Sequence, residues 1–303
     1  MTDWTTDEMP DCTGETVVVT GANSGLGLEA TRAFARKGAH VVLACRDLDR
    51  GGAAATDVRG DVPDASLSVR ELDLASLDSI REFAATVGGE LDAIDVLCNN
   101  AGVMAIPRGE TEDGFERQFG INHLGHFALT GLLLDSLRAA ENPRVVTQSS
   151  GVHERGEIDF DDLHGEASYD KWDAYAQSKL ANVLFAYELD RRHGDDLTSV
   201  ACHPGYAATN LQYRGPEAEG SRLKRALMGV FNRVFAQSAA QGALPMLYAA
   251  TAEAIDGGEY VGPGGLFNMR GAPEKQRSSD RSYDEGAAER LWDVSEDLTD
   301  VTY

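Results

Sequence analysis

Tyr175 and Lys179 stand four residues apart in YAQSKLANVLFAYEL, a segment whose Leu180, Val183, Leu184 and Tyr187 repeat at helical spacing. On one helix the phenol and the ammonium share a face. Such a pair most often belongs to a solvated polar surface. Beside a reacting oxygen it can instead move a proton, because a nearby ammonium favours the phenolate. The surrounding chain has to decide between the two readings.

A second set of residues points to phosphate. The β-rich run ETVVVTG leads directly into TGANSGLG, where Gly21, Gly25 and Gly27 allow a sharp turn and close approach of a ligand, and the helix behind them offers unpaired N–H groups. A glycine triplet alone is a weak signal; between a first strand and a first helix it predicts dinucleotide binding. The end of the second strand, about 20 residues on, is where an NAD site places a carboxylate. Here it carries Cys45 and Arg46. Arg46 suits a 2′-phosphate through charge-assisted hydrogen bonds and Ser24 can add a hydroxyl, so the expected cofactor is NADP(H), with NAD(H) less favoured. Asp47 next door argues the other way. Asp73, at the end of the third strand, can receive the adenine amino group, and Asn99, Asn100, Ala101 and Gly102 can floor the adenine ribose.

Other chemistry-bearing residues read as structural. His123 and His126 in NHLGHF have no third ligand at matching spacing, so no metal site is expected. Cys12, Cys45, Cys98 and Cys202 lack a C-x-x-C pair and are expected as buried, reduced thiols.

The elements that position these groups alternate. ETVVVTG, AHVVLACR, SLSVRELDL, AIDVLCNNAG, PRVVTQSS and DLTSVACHPG read as strands, with helical periodicity between them, and GEYVGPGGLF can add a seventh. This order predicts an α/β fold: a doubly wound parallel sheet of about seven strands, Rossmann-type, with helices on both faces. Phe115 to Leu137 is expected as one long helix, and SAAQGALPMLYAAT as a helix despite Pro245. No linker interrupts the 303 residues, so a single domain is expected over 1–303, with an insertion at about 206–235 and a C-terminal extension at about 270–303.

Composition narrows the partners. Fifty Asp plus Glu against 27 Lys plus Arg give a net charge of −23, which repels nucleic acid and anionic membranes. The acidic residues are spread along the chain, as in proteins adapted to high salt. No run of 18 apolar residues is present and the acidic start is unlike a secretory signal, so a cytoplasmic protein without a membrane span is expected.

Taken together, TGANSGLG, NNAG, QSS and Tyr175-Ala-Gln-Ser-Lys179 resemble, in order, the motifs of the classical short-chain dehydrogenase/reductase family, over about residues 13–267. The wording ACR, NHLGHF, QSKLAN and LWDVSEDLT is most similar to its retinol dehydrogenase and WW-domain oxidoreductase branch. The resemblance implies Asn122, Ser150, Tyr175 and Lys179 as the catalytic four, Ser150 being preferred to Ser149 as the second of the pair. It implies cofactor contacts from Gly21, Asn23, Ser24, Gly25, Leu26, Gly27, Arg46, Asp73, Leu74, Asn99, Ala101, Gly102, Tyr175, Lys179, Pro204, Gly205 and Thr209. Hydride would pass between nicotinamide and a carbonyl carbon, Ser150 holding the oxygen, Tyr175 exchanging its proton and Lys179 handing protons on through water held by Asn122. An ammonium about 4 Å from the phenol, at an effective dielectric near 20, is worth roughly 4 kcal/mol before burial subtracts from it. That would bring Tyr175 near working pH.

Ser150 and Tyr175 are separated more widely than is usual in the family, and the extra residues near EIDFDDLHGEASYDKW are expected at the substrate entrance. Leu211, Tyr213, Leu223, Leu227, Met228, Val230 and Phe231 suggest an apolar lid and a lipophilic alcohol or carbonyl substrate, though the same stripe suits core or subunit interface. Family relatives form dimers or tetramers through the helices around 115–137 and 173–191. A nucleotide-binding regulatory protein without turnover is the alternative function; an epimerase or dehydratase would need a larger C-terminal part.

Overall fold

The computed structural model describes residues 3–205, 237–265 and 268–303. Its centre is one sheet in the order β3-β2-β1-β4-β5-β6-β7-β8. The strands are β1 (Thr16–Thr20), β2 (His40–Cys45), β3 (Leu67–Glu71), β4 (Val96–Asn99), β5 (Arg144–Gln148), β6 (Thr198–Cys202), β7 (Tyr260–Pro263) and β8 (Pro273–Gln276). The first seven run parallel, and β8 is antiparallel to β7, so the sheet has one strand more than expected. The central strands are apolar nearly throughout because both faces are covered.

One face carries α1 (Gly25–Arg36), α2 (Leu48–Asp61) and α8 (Ala239–Thr251), with Phe34, Ala54, Met246 and Leu247 in its core. The other carries α3 (Leu77–Glu90), α5 (Gly125–Leu132) and α7 (Lys171–His193), packed through Ile80, Phe83, Leu124, Phe127 and Leu184. Pro245 lies inside α8 as expected, buried against the sheet. Among the described residues no helix is long and apolar enough to cross a membrane.

The segment 115–137 departs from the expected single helix. It comprises α4 (Arg117–Phe119), a π turn (Gly120–Leu124), α5 and α6 (Leu134–Arg138). In the π turn the Gly125 N–H reaches back five residues to the Gly120 carbonyl. The extra residue in this turn rotates the helix beyond it, a distortion often found where a side chain must be aimed. Asn122 sits inside it.

The C-terminal α9 (Glu285–Thr299) packs outside α5 and α7. Trp292, 2% exposed, stands edge-on to Phe127 at 5.2 Å and stacks on Phe185 at 6.0 Å. Tyr303 lies 4.4 Å from Trp292 and donates its hydroxyl to the Phe127 carbonyl at 2.6 Å. Part of the helical surface expected to meet another subunit is therefore covered by the chain's own end. The insertion 206–235, with Thr209 and the lid residues, lies outside the described residues.

Candidate active site

Strand order reverses at β1, whose neighbours are β2 and β4, and the carboxyl ends of such strands open a crevice. A cleft of about 250 Å³ lies there, lined by Gly21, Asn23, Ser24, Gly25, Leu26, Arg46, Asp73, Leu74, Ala101 and Gly102 among others. Gly21 turns the chain at φ 66°, and a Cβ on Gly27 would meet the Gly21 carbonyl oxygen at 2.6 Å, so the helix can only start this close to the turn without a side chain there. Helices α2, α3, α7, α8 and α9 are each capped by an Asp or Ser side chain. At α1 the Ser24 side chain makes no cap bond, which leaves the first-turn amides to a ligand.

Not every expected contact lines this cleft. Asn99 is fully buried and donates to Thr130 Oγ1 at 3.0 Å; Asn100, one residue beyond the strand, lines the cleft instead and donates its side-chain amide to the Thr20 carbonyl. Gly27 shapes the turn from behind. The cleft also takes in Asp47, Arg50 and Ile121, which sequence reasoning did not assign. Arg50 lies in the first turn of α2, four residues after Arg46 at the end of β2, a proximity in sequence that was legible. Asp47 accepts the Arg50 backbone N–H at 3.0 Å as the N-cap of α2, so one of its oxygens is engaged away from a ribose. Arg46 is 67% exposed in its side chain and its nearest carboxylate oxygen, on Asp73, is 4.0 Å away.

Beyond Gly102, the four side chains that the resemblance implies as catalytic, Asn122, Ser150, Tyr175 and Lys179, come together. Asp170 caps α7 by accepting from Trp172 N and Asp173 N, which starts the helix one turn before Tyr175. The helix is not the surface amphipath its pattern suggested: 14 of its 23 residues are buried, because the sheet lies on one side and α9 on the other. Ser149 is buried and donates to the Lys179 carbonyl at 2.7 Å. Ser150 lies beside the Tyr175 phenol and favours its ionised form, and its Oγ accepts the Val152 N–H at 3.3 Å to cap the 3-10 turn Gly151–Arg155. Lys179 Nζ donates to the Gln148 carbonyl at 2.9 Å. Gly102 brings the cleft to this group, since a Cβ there would lie 2.9 Å from Asn122 Oδ1 and 3.7 Å from Lys179 Nζ.

Asn122 is anchored by its side chain: Oδ1 accepts from Val103 N at 2.8 Å, while Nδ2 donates to the Val103 carbonyl and to Ser178 Oγ, both at 2.9 Å. Pro204 and Gly205 follow β6, with Gly205 at φ 63° and the Pro204 carbonyl accepting from Gln237.

The electrostatics differ from the sequence expectation. Burial pushes the Tyr175 phenol up to about 12, against the smaller pull of the nearby Ser150 hydroxyl, and pushes Lys179 down to about 8. Lys179 Nζ lies 6.0 Å from the phenol ring centre and is aimed at Gln148, so in the free protein desolvation outweighs the attraction. Both groups are poised toward their neutral forms.

Next to Ser150 an open groove of about 610 Å³ is lined by Gly151, Val152, Arg155, Asp170, Trp172 and Asp173. Trp172 is 37% exposed, stands edge-on to Tyr175 at 6.4 Å and has the Arg155 guanidinium 5.8 Å over its ring. The extra segment ahead of α7 is held by Tyr169, whose hydroxyl meets the Ile106 carbonyl and receives Gln118 Nε2. The four cysteines are buried and free, as expected.

A doubly wound sheet, a glycine turn at its switch point and a serine, tyrosine and lysine gathered beyond the carboxyl end of the inner strand β5 are features shared with nucleotide-binding oxidoreductases. The family model described as short chain dehydrogenase matches residues 15–219, and the chain belongs to that family. It falls in the retinol dehydrogenase-like branch. Retinol dehydrogenase 13 of Homo sapiens is 46% identical over 283 residues, covering 92% of this chain and 82% of the relative. Retinol dehydrogenase 14 of Mus musculus is 40% identical, covering 95% and 86%. A crystal structure of an uncharacterized protein from Mycobacterium paratuberculosis matches with TM-score 0.82 at 42% identity, covering all of this chain and 99% of that one. A short chain dehydrogenase from Shigella flexneri, solved with NADP, shares the fold at TM-score 0.63 and 21% identity, covering 84% of this chain and 98% of that one.

Proposed function

We propose that the protein moves hydride between NADP(H) and a lipophilic alcohol or its aldehyde or ketone, with Tyr175 as general acid/base. The observation that carries this reading is the meeting of Ser150, Tyr175, Lys179 and Asn122 at the end of a cleft built from the glycine turn and the NNAG loop. When bound, the nicotinamide supplies or accepts the hydride. The protein's own residues do the rest.

The open amides at the start of α1 take the pyrophosphate, and Arg46 with Arg50 takes the 2′-phosphate, for which two guanidiniums at the mouth of the cleft are better matched than to bare ribose hydroxyls. Ser150 donates to the substrate oxygen and stabilises charge that develops there. Tyr175 exchanges a proton with the same oxygen. Lys179, brought down to about 8 by burial, keeps a proton it can release near neutral pH, and its charged form lowers the phenol's proton affinity once the ribose and Tyr175 share it. A lipophilic substrate is supported by the exposed face of Trp172 beside the groove and by the apolar side chains between 206 and 235.

The test is direct. Purified protein is mixed with NADPH and a series of aldehydes and ketones of increasing chain length, retinaldehyde included, in rising KCl because the net charge of −23 calls for screening. Consumption of NADPH that strengthens with chain length is expected. NADPH binding without consumption across the series would leave a nucleotide-binding protein of the same fold.

A further inference from the structure

The second histidine of NHLGHF is 1% exposed and uses both ring nitrogens. His126 Nδ1 lies 3.0 Å from the Asn122 carbonyl oxygen, which can only accept, so Nδ1 carries the proton. Nε2 lies 2.9 Å from Thr20 Oγ1. That hydroxyl already accepts the backbone N–H groups of Asn100 and Ala101, both at 2.9 Å, and its single proton has two possible acceptors: His126 Nε2, or the Cys98 carbonyl at 3.3 Å. The shorter contact goes to the imidazole, which is therefore neutral, donating at one end and accepting at the other.

We propose that His126 is a positioning residue: it fixes the π turn that carries Asn122 against the ends of β1 and β4, where the cofactor cleft begins. This rests on the reading of the reaction given above. Three motifs meet at the ring, namely the threonine that opens TGANSGLG, the NNAG loop through Thr20, and the π turn itself. Within the turn the backbone register is displaced by one residue, and the ring ties its Asn122 carbonyl to a fixed point of the sheet. The consequence reaches the reacting end, because Asn122 Oδ1 and Lys179 Nζ both lie against Gly102. Misplacement by about 1 Å at such a distance can cost on the order of 100-fold in rate. Burial, with the Lys179 charge adding to it, lowers the proton affinity of His126 to about 4, in keeping with a neutral ring.

Two substitutions separate the ends of the bridge. An asparagine amide reaches the place of Nδ1, and a glutamine amide the place of Nε2. His126→Asn is expected to keep kcat within about threefold while weakening NADPH binding about tenfold, and His126→Gln to keep NADPH affinity while losing kcat about tenfold or more, with the circular dichroism of both unchanged. Asparagine and glutamine variants that fold yet match each other, or both match wild type, would overturn the proposal. Nitrogen-15 NMR of the free protein at about pH 7 tests the ring independently: a proton on Nδ1 and none on Nε2 supports the proposal, and the reverse tautomer or an imidazolium refutes it. Should the wild type turn nothing over, the proposed reaction falls, while the tautomer and the two NADPH affinities still decide for or against His126.

Discussion

The hydroxyl of Ser149 donates to the backbone carbonyl of Lys179 at 2.7 Å, and this leaves its neighbour Ser150 to face Tyr175. One serine holds the helix to the sheet and the other meets the phenol. Ser150→Ala is expected to lower kcat by roughly 100- to 1000-fold, the effect of removing one donor to a developing oxyanion, with NADPH affinity unchanged. Ser149→Ala should instead cost about 1 kcal/mol of stability and spare most turnover. Steady-state kinetics and urea midpoints of the two variants decide; the opposite ranking would exchange the two roles.

Arg46 and Arg50 stand at the mouth of the cleft, while Asp47 between them is engaged as a helix cap. A hydrogen bond to a charged group is worth about 1.5–3 kcal/mol, so replacing either arginine by alanine should raise the NADPH KM by about 10- to 100-fold and leave the NADH KM nearly unchanged. The ratio of the two constants is the measurement. Equal losses for both nucleotides would remove the arginines from the 2′-phosphate.

Lys179 is lowered from 10.5 to about 8 in the folded chain. Below about pH 8 the buried ammonium is charged and opposes folding; above 10.5 it is neutral in both states and the opposition is gone. Stability of wild type relative to Lys179→Met should therefore rise between about pH 8 and 10.5, by about 3 kcal/mol in all. Tyr175, raised to about 12, acts oppositely at higher pH, its contribution falling as pH climbs from 10 to 12. Urea denaturation of both proteins without nucleotide, at pH values spanning the lysine window, reads the difference. A flat difference would mean that the lysine is not desolvated.

Trp292 fills the contact between α9 and the pair α5 and α7. Trp292→Ala is expected to cost about 3–5 kcal/mol and to bare Phe127 and Phe185. Sedimentation should show a monomeric wild type and self-association of a chain ended before Glu285. Stable wild-type dimers unaffected by that truncation would place the subunit contact elsewhere.

Much of the sheet was legible because β1, β2 and β4 to β6 are short, largely apolar runs bounded by turns, as a parallel sheet buried on both faces requires, while the edge strand β3 (LSVRE) is more polar. The Tyr175 and Lys179 pair, the glycine turn and Gly102 were legible too, since spacing on a helix and a required glycine are local properties. Other features are not local. The π turn at Gly120–Leu124 changes a hydrogen-bond register that residue periodicity does not record. Asn99 and Asn100 are chemically alike, and only the point where β4 ends decides which of them reaches the cleft. Strand β8 has the polar sequence PEKQ and exists by pairing at the sheet edge, without an apolar pattern to announce it. Leu291 and Trp292 are buried on α9, and nothing in their spacing names Phe127 and Phe185 as the contact of Trp292. The titration of Tyr175 depends on a distance and a degree of burial, and a four-residue interval sets neither.

The phenol's role in proton exchange is tested most directly by Tyr175→Phe, which removes one oxygen from a buried ring and little else. NADPH binding, followed by the enhancement of its fluorescence, should remain within about twofold of wild type, while carbonyl-dependent NADPH oxidation falls by at least the roughly 100- to 10,000-fold expected for loss of a general acid. A phenylalanine variant that binds NADPH and still reduces the carbonyl at a rate near wild type would contradict the account.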